Sequence, residues 1–212
     1  MEIKEEKVTI AERMNAEYRV FNTILDIGCG NAQYLYDFKK FGFRKAIGVD
    51  KMLPNINPVK HYTDHLVKTL GIGKGDALGM YYAEDSWLKF FGGDFDKYLV
   101  NNPTEKYSLI ICRNVLHFYP DSQKYQIIAQ LYNQLEPDGL LYIELNNNKH
   151  PDTLSCEHVE GNTYIGFKDY DKTKWYYADE NEFQNQTAKF NPVGSLYQCD
   201  NHSLKIVFRK LL

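Results

Sequence analysis

Short apolar runs alternate with amphipathic segments over the first two thirds of the chain, and this pattern predicts strands that alternate with helices. The strands are expected at TILD (23–26), RKAIGVD (44–50), WLKFFGGDF (87–95), KYSLIICRNVLHF (106–118) and LLYIEL (140–145). The helices are expected at AQYLYDFKKFG (32–42), HYTDHLVKTLG (61–71) and SQKYQIIAQLYNQL (122–135), with a glycine-rich loop and a short helix in GIGKGDALGMYYAEDS (71–86). Such alternation is typical of α/β proteins with a mostly parallel sheet.

The two ends of the chain differ from this pattern. Residues 1–20 predict an amphipathic helix that leads into the domain. The C-terminal part predicts two hairpins, TYIGF with KWYYA and GSLYQC with SLKIVFRK, so the sheet is expected to have an antiparallel C-terminal edge strand. No repeat or linker is evident, which predicts a single domain over 1–212, with 51–86 and 150–180 as candidate insertions on the substrate side.

Composition and charge limit the kinds of partner expected for this protein. The 212 residues carry 25 Lys and Arg against 28 Asp and Glu, a net charge of −3, and these charges are interspersed, so we expect no nucleic-acid partner. Apolar runs are shorter than the roughly 18 residues of a membrane helix, and the N-terminus is charged rather than apolar. The four cysteines lie far apart without a CxxC pair. These features predict a cytoplasmic protein with reduced thiols and no membrane partner.

The segment Asp26-Ile27-Gly28-Cys29-Gly30-Asn31-Ala32 carries the strongest chemical signal. Glycines at alternate positions let the backbone turn sharply and pass close to a ligand. The dinucleotide pattern G-x-G-x-x-G/A requires a small residue where Gln33 stands, which weighs against a nicotinamide cofactor. A carboxylate at Asp26 would repel a pyrophosphate but suits an ammonium group. The turn therefore favours a ligand with an amino-acid end.

LDIGCGNA resembles the first motif of the class I S-adenosylmethionine-dependent methyltransferases, with Ala32 in place of the usual third glycine. The resemblance implies a Rossmann-like, doubly wound fold with a mostly parallel seven-stranded sheet and helices on both faces. It implies S-adenosyl-L-methionine as the cofactor, held at Asp26, Gly28, Cys29 and Gly30.

Two further acids extend the predicted cofactor site. Asp50 closes the second predicted strand, where an acid can accept both hydroxyls of a ribose, and Lys51 follows it. Both Asp76, in GKGDA, and Asp94, in FFGGDF, resemble the acid that reaches the adenine in this family. Asp94 leaves room for one helix and a turn before the fourth strand, so we predict Asp94 for this role, with Phe95 beside the adenine.

The segment after the fourth strand gives the candidate acceptor side. CRNVL resembles the chemotaxis-receptor glutamate methyltransferases, in which the Asn touches the cofactor, and this points to Asn114. The positions from Arg113 to Leu116 lack the N/D-P-P-Y/F pattern of amino-group methylases that act on adenine or glutamine. His117 is placed where a free imidazole can take a proton from an acceptor hydroxyl near neutral pH, although a structural histidine fits the same position.

His61 and His65 stand four residues apart on one predicted helix face, a spacing found in metal sites. No third ligand or supporting residue is evident, so no metal site is expected.

The predicted function is methyl transfer from S-adenosyl-L-methionine to a small-molecule acceptor by in-line displacement. Such chemistry needs mainly orientation and exclusion of water, so no catalytic triad is required. Methylation of a protein carboxyl is the alternative that CRNVL favours. A non-catalytic cofactor-binding protein also remains open, because Ala32 and Ser108 depart from the family pattern.

Overall fold

A computed structural model describes residues 22–32, 35, 44–51, 58–82, 87–166, 174–193, 198–199 and 203–211. The predicted leading helix over 1–20 and nearly all of the predicted helix over 32–42 lie outside these residues. The chain divides into two compact units, Met1–Asp94 and Phe95–Leu212.

Three parallel strands form the sheet of the first unit. They are β1 (Thr23–Ile27), β2 (Lys45–Asp50) and β3 (Leu88–Gly92), in the order β3-β2-β1. Asp26 pairs in register with Gly48, and Gly48 with Phe90. The side chains of Ile24, Leu25, Ala46 and Leu88 are fully buried, as expected for strands of a parallel sheet. All three predicted strands are confirmed.

Among the described residues, two helices lie between β2 and β3. Helix α1 (Pro58–Leu70) begins three residues before the predicted start, because proline is well suited to the first helical position, where no hydrogen bond from its nitrogen is needed. It ends where predicted, since Gly71 adopts φ +66° and donates its N–H to Val67. Helix α2 (Lys74–Tyr82) is the short helix expected between 71 and 86.

The strands of the second unit form two sheets. They are β4 (Tyr107–Arg113), β5 (Leu135–Asn146), β6 (Cys156–Glu160), β7 (Thr163–Gly166), β8 (Lys174–Tyr176), β9 (Gln198–Cys199) and β10 (Ser203–Arg209). The larger sheet has the order β4-β5-β10-β9, with β4 parallel to β5 and β10 antiparallel to β5. Residues Leu109–Cys112 of β4 are completely buried. The mostly parallel arrangement with an antiparallel C-terminal strand is therefore confirmed.

The prediction of a seven-stranded sheet is met in part. Among the described residues, β1 to β5 and β10 have five or more residues each, and the remaining strand of this order, β9, has only two. The expected seventh strand includes residues 194–197, which lie outside the described residues. Pro192 pairs with Phe208, and the two-residue β9 pairs with Leu204 and Lys205.

A separate antiparallel sheet has the order β6-β7-β8. The hairpin of β7 and β8 was predicted, but β6 was not, because CEHVE is mostly polar and its residues from Glu157 to Glu160 are exposed. The strand β6 is therefore defined by its antiparallel pairing with β7 and not by an apolar pattern in its own sequence.

Three α-helices complete the described part of the second unit: α3 (Phe95–Asn101), α4 (Asp121–Asn133) and α5 (Glu180–Thr187). Helix α4 matches the predicted segment, and α5 was not predicted because its sequence ENEFQNQT is almost entirely polar. The Asp179 side chain caps α5 by accepting a hydrogen bond from the Glu182 N–H at 3.0 Å. Among the described residues, no helix is long and apolar enough to cross a membrane.

Candidate functional site

The turn after β1 is fastened to the end of β2. The N–H groups of Gly28 and Cys29 both donate to the Val49 carbonyl, at 2.8 and 3.3 Å. Gly28 and Gly30 have φ +68° and +52°, conformations that strongly favour glycine. No described atom lies within 4 Å of a Cβ built on Gly30, so the backbone there borders open space. The predicted glycine turn is confirmed, and contact of its backbone with a ligand stays a prediction.

Asp50 is bound directly to this turn. The Gly30 N–H donates to the Asp50 Oδ2 at 3.0 Å, and the Gly93 N–H after β3 donates to the Asp50 backbone carbonyl at 3.1 Å. The side chain is partly exposed. A carboxylate can accept several hydrogen bonds at its two oxygens, so the bond from the Gly30 N–H does not by itself exclude one from a ligand hydroxyl. The end of β2 thereby joins the turn after β1 to the turn after β3.

Two carboxylates make the turn electrically negative. Asp26 is only 3% exposed, next to the last residue of β1, and Asp50 ends the neighbouring strand. The pKa of the Cys29 thiol is raised far above its ordinary value, first by burial and then by the negative charges of Asp26 and Asp50. Cys29 therefore stays a neutral thiol, and the same field favours a positively charged ligand group.

Gly48 is a structural requirement that the sequence reasoning missed. A Cβ at this position would lie 2.7 Å from the Phe90 Cδ1 and 2.8 Å from the Cys29 Sγ, closer than atoms pack. Phe90 in turn stacks on Tyr81 of α2, with ring centroids 5.9 Å apart. The signal was a glycine in the middle of an apolar strand, which often marks a close approach of other groups.

Gly48→Ala is expected to lower the free energy of unfolding by about 1–3 kcal/mol, because the added methyl group must displace Phe90 and Cys29. Urea unfolding measures the change. Gly75→Ala is the matched control: it lies in α2 with no described atom within 4 Å of the added Cβ, and alanine favours a helix there. If Gly48→Ala is as stable as the parent, the packing argument fails.

The two acidic residues considered for contact with the adenine lie in different parts of the fold. Asp94 is exposed and lies two residues beyond the end of β3, the strand that pairs with β2. Asp76 lies in the first turn of α2 and is also exposed. Asp94 therefore lies beyond the same strand ends as Asp50, whereas Asp76 does not. Its contact with an adenine stays a prediction.

In the second unit, Asn114 directly follows β4 with a fixed backbone. Its φ is +54°, a left-handed conformation that asparagine tolerates, and its N–H donates to the Glu144 carbonyl at 2.8 Å. The Glu144 Oε2 also accepts from the Arg113 Nε at 2.7 Å and the Tyr142 hydroxyl at 2.8 Å. The Asn114 side chain is exposed. The sequence reasoning missed Glu144, although an acid inside the apolar run LLYIEL was a visible signal.

Phe95 opens α3 and is 95% buried, with its ring edge-on to that of Tyr119 at 6.0 Å. It can offer an apolar contact, and its place beside an adenine stays a prediction.

His117 lies on a 3-10 helix (Leu116–Phe118) that follows β4, and it is 3% exposed. Its ring stacks on Trp175 with centroids 4.8 Å apart and planes at 25°. Among the described residues, its Nδ1 has no hydrogen-bond partner. Burial first, then the charges of Lys124 and His150, lower its pKa to about 4. At neutral pH the imidazole is therefore uncharged and has one nitrogen able to accept a proton.

Lys124 is a further residue that the sequence reasoning missed. It is completely buried, and its Nζ donates to the Asp121 Oδ1 at 2.7 Å and to the Tyr176 carbonyl at 2.6 Å. The signal was its position on the apolar stripe of α4 with Ile128 and Leu131, where a lysine must find partners when buried.

His61 and His65 are exposed on α1. Within the described ranges, no group of three or more His, Cys, Asp or Glu residues is placed to hold a metal ion.

Comparison with solved structures identifies the fold. The chain is similar to 1,6-didemethyltoxoflavin-N1-methyltransferase of Burkholderia thailandensis, solved with 1,6-didemethyltoxoflavin and S-adenosylhomocysteine. The TM-score is 0.62 at 17% identity, over 99% of this chain and 80% of that chain. A protein of Pyrococcus horikoshii OT3 gives a TM-score of 0.66 at 14% identity, over 94% and 87%. The N-methyltransferase NodS of Bradyrhizobium japonicum WM9 gives 0.57 at 14% identity, over 99% and 97%. These likenesses show a Rossmann-like fold.

Comparison at the level of sequence gives the family. No curated protein matches the chain. A family model described as a methyltransferase domain matches residues 4–198, which is most of this chain. The chain therefore belongs to the methyltransferase-domain family, as the motif after β1 predicted.

Proposed function

We propose that this methyltransferase transfers a methyl group to a small-molecule acceptor and holds its methyl donor at the turn after β1. The methyl donor is S-adenosyl-L-methionine. When bound, it supplies a methyl group on a sulfonium that is open to in-line displacement by the acceptor atom. The observation that carries the proposal is the Asp50 carboxylate bound to the Gly30 N–H beside the buried Asp26.

The residues of the turn fit this donor in shape. Gly30 borders open space and has a φ that a residue with a Cβ rarely adopts, so the backbone can lie directly against a ligand. We assign backbone contacts to Gly28, Cys29 and Gly30. The neutral Cys29 thiol adds no charge to the site.

The residues of the turn also fit the methyl donor in charge. Asp26 and Asp50 together make a field that favours a cation, and the amino-acid end of the donor carries an ammonium group. We assign the ammonium to Asp26, directly or through water, and the ribose hydroxyls to Asp50. Lys51, exposed after β2, and Asp94, exposed after β3, are assigned the remaining contacts in this unit. Phe95 and Asn114 of the second unit stay predictions from the family resemblance.

We assign to His117 the role of proton acceptor. A neutral ring with an unpartnered, buried Nδ1 is chemically able to take a proton from an O–H or N–H group. The proton leaves the acceptor heteroatom as the bond to the methyl carbon forms. The acceptor class is therefore a small molecule with a hydroxyl or a protic nitrogen, rather than a carbon nucleophile.

The structural neighbours support a small-molecule acceptor. The Burkholderia enzyme was solved with 1,6-didemethyltoxoflavin, and NodS is an N-methyltransferase. The protein-carboxyl alternative rests on CRNVL alone. Labelled donor supplied with a cell lysate distinguishes the two: label in the small-molecule extract supports the proposal, label in protein supports the alternative, and no transfer despite binding supports a non-catalytic protein.

Titration calorimetry tests the donor site. We expect S-adenosyl-L-methionine to bind with a dissociation constant on the order of micromolar, about −8 kcal/mol. Asp94→Asn should weaken binding about tenfold, since it removes the charge from a hydrogen bond to the donor. Asp76→Asn is the matched control, because Asp76 is equally exposed but lies in α2. Absence of heat with the parent protein would overturn the donor site, and equal effects of the two variants would overturn the assignment of Asp94.

A further inference from the structure

We propose that Lys124 is a positioning residue, which anchors β8 to α4 and so holds the Trp175 ring against His117. The inference rests on the proposed role of His117 as proton acceptor, because it concerns what holds that imidazole in place.

The Lys124 ammonium lies within hydrogen-bond distance of three acceptors of the second unit. The Nζ lies 2.7 Å from the Asp121 Oδ1, 2.6 Å from the Tyr176 carbonyl and 3.4 Å from the Tyr177 carbonyl. Asp121 opens α4, and Tyr176 is the last residue of β8. The ammonium therefore links the start of one helix to the end of a strand 52 residues further along the chain.

The link acts one residue away from Trp175. Strand β8 has only three residues and lies at the edge of the described three-stranded sheet, where it forms hydrogen bonds with β7. A carbonyl fixed at Tyr176 limits the motion of Trp175. The centroid of the Trp175 ring lies 4.8 Å from that of the His117 ring and 5.0 Å from that of the Phe118 ring. Phe118 also contacts His117 directly, at 4.4 Å, so three rings pack as one cluster.

Burial of a lysine at this position costs desolvation free energy, whereas burial of an apolar side chain would not. Burial lowers the pKa of Lys124, and the hydrogen bond and charge of Asp121 oppose that change. Apolar residues in place of a whole buried ion pair are often neutral or stabilising, so packing by itself does not require a charge on this stripe of α4. A buried charge with three fixed acceptors instead specifies one arrangement of the segments that it joins.

The same ammonium acts on the protonation of His117. Among the described residues, the charged or titratable groups that act on His117 are Lys124 from α4 and His150 from the loop after β5, and both disfavour the imidazolium after burial itself. Lys124 is paired with Asp121, and Glu182 of α5 also acts on it. Removal of Lys124 should therefore loosen the ring stack and make His117 easier to protonate.

Fluorescence of Trp175 tests the proposal without an acceptor. The chain has two tryptophans, so Trp87→Phe leaves Trp175 as the sole emitter. In that background we compare Lys124→Met, Lys124→Arg and Asp121→Asn, with Lys97→Met as the control for loss of an exposed lysine. Acrylamide quenching reports access to the ring. A pH titration reports protonation of the stacked imidazole, because an imidazolium quenches indole emission.

Lys124→Met is expected to raise the acrylamide quenching constant about twofold or more, because a strand without its anchor opens more often. Its pH midpoint should rise from about 4 toward the ordinary histidine value of about 6.5. Lys124→Arg should keep the low midpoint, and Asp121→Asn, a milder change at a partly exposed side chain, should raise quenching by less.

Unchanged quenching and an unchanged midpoint in folded Lys124→Met overturn the proposal. If that variant does not fold, unchanged values in Asp121→Asn overturn it. Binding of S-adenosyl-L-methionine, measured by calorimetry on the same samples, reports failure of the donor site separately.

Discussion

Asp50→Ala is expected to weaken binding of S-adenosyl-L-methionine at least about 100-fold, because charged hydrogen bonds contribute roughly 1.5–3 kcal/mol each and more than one is lost. The variant removes the carboxylate assigned to the ribose hydroxyls and also frees the Gly30 N–H that the Oδ2 now accepts. The turn after β1 therefore loses both a ligand contact and part of its own support. Titration calorimetry gives the ratio of dissociation constants.

Two variants sharpen this result. Asp50→Asn keeps an oxygen for the Gly30 N–H but removes the charge, so a loss between that of alanine and the parent is expected. Asp64→Ala, at an exposed position of α1, controls for the change in net charge. A donor affinity of Asp50→Ala within threefold of the parent would contradict the ribose assignment, since a factor of 3 corresponds to only about 0.65 kcal/mol.

The parts of the structure that were predictable share a local signal. Strands β1, β2 and β4 are short apolar runs, and Gly28 and Gly30 mark a turn because their φ values strongly favour glycine. The place of Asp50 at a strand end followed from the same runs. What each residue touches did not follow, since the Gly30 to Asp50 hydrogen bond joins positions 20 apart.

The parts that were missed depend on contacts distant in sequence. The strand β6 and helix α5 are polar segments whose order comes from pairing and capping rather than from an apolar pattern. The sequence left His117 as either a proton acceptor at the mouth of β4 or a packed structural histidine; the ring is buried, and Trp175, 58 positions away, stacks on it. No local pattern reports which aromatic ring will stack on a histidine, or that a lysine on an apolar stripe will reach a strand far along the chain.

His117→Phe is expected to remove a large pH dependence of stability. The pKa of His117 falls from about 6.5 in the unfolded chain to about 4 in the folded protein. Between these values the unfolded state binds more protons, so stability decreases as the pH falls from about 6.5 toward about 4. At about 1.4 kcal/mol for each pH unit, the parent should lose about 2.5 kcal/mol more than the variant between about pH 7 and about pH 4.5.

Urea unfolding, followed by Trp175 emission in the Trp87→Phe background, measures this difference in the unit that holds His117. Phenylalanine suits the test because it keeps an aromatic ring against Trp175, does not titrate, and eliminates the buried Nδ1 that has no partner among the described residues. His150→Gln is the matched control and should keep most of the pH dependence, because His150 acts on His117 less than burial and Lys124 do. Parallel curves for the parent and His117→Phe would mean that the imidazole binds protons equally in the folded and unfolded states, which would contradict the low pKa that burial gives this ring and the proton-accepting role built on it.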